Sequence, residues 1–304
     1  MTYLQIAAHL FLLLFWTRLW VKPRQSFSFN PFLSELIRFS DNVVGFLRPA
    51  LMLPDRLTAL ALLAFAWAFQ AMFFVRFGKA WHLSFGMLGF VPSVESLPWG
   101  IQFALAGLSS AHFLLQAWTL YFLSRLIASP VRDETRAQEA FTFLMHPFSR
   151  LPLLLQPLVL LVLHGALVLA AVYAGALLQP GEFTLQQFKS ATPVHLLTGE
   201  SAAIPLLKIG VLAMMSFAGG LETLIYTIIF FILGGLAMML VGAQRLTMIF
   251  RESTDMLLGR FARHPAVTGG GLDFTPILFI FVVSFLNGNA QVLLSKLLLT
   301  PLPL

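Results

Sequence analysis

The sequence predicts an all-α membrane protein, a polytopic bundle of about six transmembrane helices arranged as three helical hairpins with amphipathic linkers. Hydrophobic residues make up 58% of the 304 residues and charged residues only 11%, whereas soluble domains are about half apolar and about a quarter charged. The apolar residues are also gathered into runs of about 20, the length that a helix needs to cross the hydrocarbon core. Both observations place most of the chain in lipid.

Six apolar runs are predicted to span the membrane. They are residues 2–20, 57–75, 100–124, 151–181, 223–244 and 274–295. A shorter run, roughly 204–218, carries Lys208 and is predicted to be a half-helix or interfacial segment. We expect it to end at Gly219-Gly220, because paired glycines weaken a helix.

The basic residues indicate how these helices cross the membrane. The segments 18–56, 125–150 and 245–263 hold 6, 4 and 4 of the 19 Lys and Arg residues. With six spans all three segments fall on one side, which the positive-inside rule makes cytoplasmic, with both termini outside. A full span at 204–218 would place 245–263 on the other side, so six spans are preferred. The first run has no basic segment before it, a pattern typical of an uncleaved signal anchor.

The three basic segments resemble one another and predict an internal repeat. Each follows an apolar run that ends in Arg-Leu, beginning at Arg18, Arg125 and Arg245. Two of them share a Phe-x-x-His-Pro spacing, seen in Phe143, His146, Pro147 and in Phe261, His264, Pro265. We therefore predict three hairpin units, residues 1–78, a divergent 100–181, and 204–297, related by duplication.

The first linker shows the helical pattern best. Asn30 can cap a helix, and Pro31 suits its first turn. Apolar residues then recur at helical spacing, at Phe32, Leu33, Leu36, Ile37, Val43, Val44 and Leu47. Such a helix can lie in the membrane interface or pack on the bundle as a surface helix, and the pattern fits both.

Two motifs carry a resemblance to a known family. Arg18-Leu19-Trp20 precedes Asn30-Pro31-Phe32, and His264-Pro265 precedes the run from Gly270 to Pro276, Gly-Gly-Leu-Asp-Phe-Thr-Pro. In these motifs the chain resembles the YggT family, also called YlmG, of small bacterial and chloroplast membrane proteins. The family's usual Pro-x-Arg-Arg cluster before the Gly-Gly turn is missing here, and family members usually have one or two units rather than three.

The resemblance implies a site in the linkers and a broad class of function. Its motif residues, with a structural or interaction role, are Asn30, Pro31, Phe32, His264, Pro265, Gly270, Gly271, Asp273, Phe274 and Pro276. Physically, the glycines permit a sharp turn, Asp273 faces the positive end of the next helix, and Thr275-Pro276 suits a cap and first turn. The implied function is a non-enzymatic scaffold or assembly factor of the bacterial plasma (inner) membrane, related to the envelope, cell division or osmotic stress.

Polar residues within the predicted spans are further candidates. His9, His112 and His164 lie near the middle of three spans. His112 and His164 could be axial haem ligands or a proton relay, or neutral imidazoles in interhelical hydrogen bonds with Ser109, Ser110, Gln116 or Gln156. Glu222 is predicted at the N-terminus of the fifth span, where a carboxylate is stable without a further role. Asn287, Asn289 and Gln291 could line a cavity or join helices.

Other classes of function find no support in the sequence. There is no cysteine, no His-Glu-x-x-His, no Gly-x-Ser-x-Gly and no complete phosphate loop. The net charge of +6 is not arranged as a basic stripe with stacking aromatics, so nucleic acid is not expected as a partner. We expect neither enzyme activity nor a cofactor. The expected partners are membrane lipids and an unidentified membrane protein. The alternative is a transporter or channel for ions or small solutes, favoured by the repeats and the half-helix.

Overall fold

The computed structural model describes residues 2–20, 31–77, 83–86, 88–90, 97–127, 136–178, 184–187, 193–195, 206–262, 268–269 and 272–299. The helices in these ranges are α1 (Thr2–Trp20), α2 (Pro31–Leu51), α3 (Asp55–Gln70), α4 (Trp99–Ile127), α5 (Arg136–Leu144), α6 (Gln156–Leu178), α7 (Leu206–Leu240), α8 (Gln244–Leu258) and α9 (Thr275–Leu299). A π-helical turn, Ala71–Phe77, continues α3, and 3₁₀ turns follow α5 (Phe148–Arg150) and α8 (Gly259–Phe261). The short strands are β1 (Leu83–Phe85), β2 (Leu88–Phe90), β3 (Thr184–Gln187), β4 (Pro193–His195), β5 (Thr268–Gly269) and β6 (Leu272–Asp273).

The described residues contain four helical segments that are long and apolar enough to cross a membrane. They are Asp55–Phe73, Gln156–Ala174, Leu207–Leu240 and Thr275–Leu298. Ala8–Trp20 is a shorter apolar helix. Helix α4 has 29 residues but carries polar side chains along its length, among them Gln102, His112 and Gln116. The prediction of a helical membrane protein is confirmed at this level, with four candidate spans.

Helix α7 lies at the centre of the bundle. It packs against α4, α6, α8 and α9, while α1 packs against α3 and α4 packs against α6. Leucine, isoleucine and phenylalanine side chains fill the seams between these helices, and Leu160, Leu212, Leu224 and Ile228 are fully buried. The long helices therefore bury their contacts with each other and leave much of their remaining apolar surface for lipid.

The three amphipathic helices α2, α5 and α8 lie together at one end of the bundle, which we call the linker face. Helix α5 contacts both α2 and α8. Side chains from other parts of the chain close this end: Trp16 Nε1 donates to the His146 carbonyl (3.0 Å) and Arg260 Nη2 to the Leu126 carbonyl (3.0 Å). The end of α4 is thus covered by the turn that follows α8.

A small antiparallel sheet, in the strand order β1-β2-β3-β4, lies at the other end of α4, which we call the sheet face. The sheet joins the segment between α3 and α4 to the segment between α6 and α7. Strand β1 contacts both α4 and α7, and Leu83, Phe85 and Leu88 are almost completely buried. The turn between β1 and β2 therefore enters the bundle. The sequence pattern indicated helices alone, and these strands were not predicted from it.

The predicted half-helix at 204–218 is wrong, because α7 continues through Gly219-Gly220 as one helix of 35 residues. Each glycine costs about 1 kcal/mol of helix propensity relative to alanine. Here the absence of a side chain at Gly220 permits a close approach of the two helices, and Gly220 packs directly against Thr119 of α4. Small residues commonly serve this purpose between membrane helices. Glu222 consequently lies near the middle of a long helix and not at a helix N-terminus.

Two details of the predicted repeat also need correction. Helix α7 ends at Leu240, so Arg245 belongs to α8 and does not end a long helix as Arg18 and Arg125 do. Phe143 is buried inside α5, whereas Phe261 is 45% exposed in the turn after α8. The shared spacing in the sequence does not give these residues equivalent positions.

Candidate functional site: a polar cavity between α4, α7 and α9

A cavity of about 740 Å³ lies between α4, α7, α9 and the turn that follows β1. Polar side chains line much of it: Ser84, His112, Gln116, Glu222, Thr223, Ser284, Asn287 and Gln291. Ile225, Tyr226, Ile229 and Ile280 provide an apolar wall. Its size is within the range of small-molecule sites, about 300–1,000 Å³.

The polar residues come from the middle of their helices. His112 lies near the middle of α4, Glu222 near the middle of α7 and Asn287 near the middle of α9. These three residues border the same cavity. A helix of 35 residues is about 52 Å long, against about 30 Å for the hydrocarbon core. A centred α7 would thus hold Glu222 deep within the membrane.

Glu222 gives the cavity its charge. Among the described residues that line the cavity, it is the only one with a formally charged side chain. Tyr226, one turn along α7, lines the same cavity and interacts electrostatically with Glu222. No Lys or Arg is found among those lining residues. The local field is therefore negative.

Gln291 and Gly86 form the end of the cavity nearest the sheet face. Gln291 is 1% exposed, and its Nε2 donates to the Met215 carbonyl (3.0 Å). Because a carbonyl only accepts, this bond identifies Nε2 as the donor, and the whole amide group packs against the β1–β2 turn so closely that a β-carbon on Gly86 would collide with it. Gly86 has φ +64°, a conformation that favours glycine. Only a glycine fits this position without displacing Gln291.

Two amide oxygens at the cavity have no protein partner. Gln291 Oε1 and Asn287 Oδ1 are buried atoms without a hydrogen bond. The two residues lie one turn apart on α9 and both line the cavity. Asn289, in contrast, donates to the Phe285 carbonyl of its own helix (2.8 Å) and is exposed. Of the two readings that the sequence left open, Asn287 follows the cavity reading, and Gln291 follows both, because it lines the cavity and also joins α9 to α7.

A hydrogen-bond network joins α4 to α7 beside the cavity. Gln116 Nε2 donates to the Ser216 carbonyl (3.0 Å) and lies 3.2 Å from His112 Nε2. Since an amide nitrogen only donates, His112 Nε2 accepts this bond, and the ring is the neutral tautomer with its proton on Nδ1. Thr223 Oγ1 can donate to Gln116 Oε1 (3.3 Å). Gln116 is thus held on both sides.

His164 joins α6 to the same network. Thr119 Oγ1 donates to the Leu115 carbonyl (2.8 Å), so it accepts from His164 Nε2 (3.1 Å). His164 Nδ1 then accepts from Ser216 Oγ (2.9 Å). Both ring nitrogens are engaged, and the chain between His164 and His112 runs through Ser216 and Gln116. This arrangement matches the reading of neutral interhelical hydrogen bonds, and Gln116, one of the predicted partners, bonds His112.

The remaining predicted candidates lie elsewhere. His9 stacks on Phe113, with ring centroids 4.7 Å apart. Among the described residues, no group of three or more His, Cys, Asp or Glu could hold a metal ion.

The family-motif residues lie away from the cavity where the structure describes them. Pro31 and Phe32 begin α2, Asp273 ends β6, and Phe274 and Pro276 lie at the start of α9 on the linker face. As predicted, Pro276 is in the first turn of α9, where the Leu278 amide donates to the Phe274 carbonyl (3.0 Å). Asn30, His264, Pro265, Gly270 and Gly271 lie outside the described residues. The residues on either side of Gly270-Gly271 pair as β5 and β6, Thr268 with Asp273 and Gly269 with Leu272.

No role was predicted for Glu222 from the sequence. Four further residues of the cavity were not recognised as candidates, namely Ser84, Gly86, Thr223 and Ser284. The available signal was a carboxylate in a long apolar stretch, which is a functional hypothesis by default in a membrane protein. Comparison of the chain with protein-family models, curated proteins and solved structures found no match. The fold and the cavity define a helical membrane protein with an acidic, polar cavity between its helices.

Proposed function

We propose that this protein is a transporter or channel for small polar solutes or ions, and that the cavity between α4, α7 and α9 is its solute site. The proposal depends chiefly on Glu222, a carboxylate near the middle of α7 that faces this cavity. Ionisable residues inside a membrane are costly and usually mark a substrate or ion pathway. The repeated polar groups of the sequence lie in segments predicted at the membrane interface. The polar residues that line the cavity are additional to these and lie near the middle of their helices.

The β1–β2 turn supports the same proposal. Non-helical backbone within the membrane is tolerated only where it is buried in protein or lines a water-filled cavity. Leu83, Phe85 and Leu88 are buried among the helices, and Ser84 and Gly86 line the cavity. This pattern is typical of a re-entrant segment at a solute pathway.

A flux assay with a plugged cavity tests the proposal. Gly288 lines the cavity, and a β-carbon there would meet nothing within 4 Å. Gly288→Trp should therefore fill the cavity without disturbing the helices around it. Gly210→Trp is the matched control, because Gly210 is exposed on α7, outside the cavity, and equally open.

The assay compares uptake by liposomes that contain the purified full-length protein. The solutes are glycerol, n-butylammonium, butyrate and potassium ions. We expect flux of at least one solute with the wild type and Gly210→Trp, and its loss with Gly288→Trp. Absence of flux for all of them, or equal flux in the two tryptophan variants, would count against transport through this cavity.

The proposed arrangement in the membrane is six spans in three hairpin units, with both termini outside a bacterial plasma (inner) membrane. Two features support it. The long helices pack in the pairs α1 with α3, α4 with α6 and α7 with α9, and an amphipathic helix follows the first member of each pair. The helices α2, α5 and α8 also share the linker face, as the positive-inside rule requires of three cytoplasmic linkers.

A scaffold or assembly factor of the YggT/YlmG type remains a second, also non-enzymatic, proposal. Its support is the apolar surface of the linkers, where Phe39 and Phe46 of α2 and Met248 of α8 are exposed. Such side chains can bind the lipid interface or a membrane protein. Cross-linking with mass spectrometry in native membranes tests this role. Failure to capture a reproducible partner through α2 or α8 would argue against it.

A further inference from the structure

The hydrogen-bond inventory of the cavity indicates what kind of solute fits, if the transport function proposed above holds. The acceptor that a ligand in the cavity can reach is the carboxylate of Glu222, which can accept several hydrogen bonds. The oxygens Gln291 Oε1 and Asn287 Oδ1 are without partners but are enclosed by the protein. The cavity therefore suits a ligand that donates hydrogen bonds to a carboxylate.

Two amide donors at the cavity are already used within the protein. Gln116 Nε2 donates to the Ser216 carbonyl and Gln291 Nε2 to the Met215 carbonyl. The Thr223 hydroxyl lies 3.3 Å from both Gln116 Oε1 and the Gly219 carbonyl, two acceptors for its one proton. Anions need positive charge, and the only formally charged side chain among the described residues that line the cavity is the carboxylate of Glu222. The inventory therefore favours a cation.

The polar residues Glu222, Asn287 and Gln291 lie close together in the fold. Helices α7 and α9 are joined through α8 and run antiparallel, so a step towards the linker face is a step forward on α7 and backward on α9. Gly219 and Gln291 meet at Gly86. One helical turn towards the linker face, about 5.4 Å, lie Glu222 on α7 and Asn287 on α9. Glu222, Asn287 and Gln291 thus line one part of the cavity.

The apolar wall continues from this polar part in the same direction. Ile225 and Ile229 follow Glu222 on α7, and Ile280 lies opposite them on α9. A bare metal ion would fill a small fraction of about 740 Å³ and leave this wall without a partner. A solute with a cationic head and a short hydrocarbon part matches both regions.

We propose that the cavity binds a small organic ammonium ion. Its N–H groups donate to the carboxylate of Glu222, and its hydrocarbon part contacts Ile225, Ile229 and Ile280. Glu222 supplies the preference for a cation.

Calorimetric titration of the purified full-length protein in detergent tests this assignment. The probe is n-butylammonium chloride, and 1-butanol is the uncharged match of the same chain length. Sodium and potassium chloride represent metal ions, and the Gly288→Trp variant measures binding to the micelle. We expect n-butylammonium to bind at least about tenfold more tightly than 1-butanol, because 1-butanol lacks the positive charge that pairs with Glu222.

Variants of Glu222 identify the source of the preference. Glu222→Gln should abolish the difference between n-butylammonium and 1-butanol, and Glu222→Asp, which keeps the charge, should retain most of it. Glu252→Gln on α8, outside the cavity, is the matched control and should behave as the wild type. The wild-type comparison of the two probes stands even if Glu222→Gln fails to fold.

Several results would overturn the assignment. They are equal affinity for the two probes, saturable binding of sodium or potassium in preference to n-butylammonium, and an unchanged preference in Glu222→Gln. The flux assay separates this failure from that of transport. Flux of glycerol or butyrate without ammonium selectivity refutes the ammonium site and keeps transport, whereas selective ammonium binding without flux keeps the site and refutes transport.

Discussion

Gly220 of α7 lies against Thr119 of α4 so closely that a β-carbon at position 220 would be 2.3 Å from Thr119 Cγ2. The neighbouring Gly219 is different, because a β-carbon there would have its nearest contact at 3.5 Å, an ordinary van der Waals distance. Gly220 therefore sets the separation of α4 and α7. The hydrogen bonds of Gln116 and His164 to Ser216 depend on that separation.

This contrast predicts opposite effects for two adjacent substitutions. Gly220→Ala should lower the free energy of unfolding by about 1–3 kcal/mol, because the added methyl group overpacks the seam. Gly219→Ala should leave it unchanged or raise it by up to about 1 kcal/mol through helix propensity. Unfolding in mixed micelles measures both. Equal losses in the two variants would show that the seam is not set by Gly220.

The contact between Gly86 and Gln291 predicts a coupled pair. Gly86→Ala forces a β-carbon into the space of Gln291 Oε1 and strains a left-handed backbone, so we expect a loss of about 1–3 kcal/mol. Gln291→Ala removes the collision but not the backbone strain. The double variant should therefore be less destabilised than the sum of the single variants by about 0.5 kcal/mol or more. Strict additivity in a double-mutant cycle would contradict the contact.

His164 predicts the outcome of a haem-binding test. Its two ring nitrogens bond Thr119 and Ser216 in a fully buried position, so axial ligation would cost both hydrogen bonds. We expect the purified protein to give no Soret band above that of free haem after incubation with haem. His164→Ala is the control and should give the same spectrum. A band that appears with the wild type and disappears in this variant would restore the haem reading.

His146 on the linker face predicts a pH dependence of stability. Burial of the ring, and then the positive charge of Arg150, lower the pKa of His146 below its ordinary value, against a backbone hydrogen bond at Thr142 that raises it. The unfolded chain then takes up the proton more readily than the folded one, so the stabilisation is complete above pH 6.5 and is lost as the pH falls below it.

The measurement is unfolding in micelles between pH 7.5 and 5.5. His146→Gln should show a smaller loss of stability across this range than the wild type, and Arg150→Gln an intermediate loss. His82, outside the described residues, offers a comparison, because His82→Gln changes another histidine of the chain. An unchanged pH profile in His146→Gln would rule out this histidine as the source.

The helices could be predicted from the sequence because runs of apolar residues are a strong signal. The run 100–124 became α4, and the run 274–295 became α9, with ends within a few residues. The amphipathic pattern from Pro31 likewise became α2. In each case the signal lies within one helix and needs no knowledge of its neighbours.

The cavity could not be predicted because it depends on contacts between helices. A Gly-Gly pair such as Gly219-Gly220 is found both at helix ends and at close contacts between helices. The contact of Gly220 with Thr119, far earlier in the chain, distinguishes the two cases here. A helix end at Gly219-Gly220 would place Glu222 at a helix N-terminus, where a carboxylate is stable without a further role. The strands around Gly86 are only three residues each, too short for a periodic pattern.

The β1–β2 turn also constrains how the protein is made. Its position in the bundle is formed by Gly219 of α7 and Gln291 of α9, both far downstream in the chain. A ribosome that has reached α4 has made the turn but not the surface that receives it. The turn can take its final position only after the last helix has entered the membrane, so the cavity forms at the end of biosynthesis. Truncation of α9 would leave the turn without its binding surface.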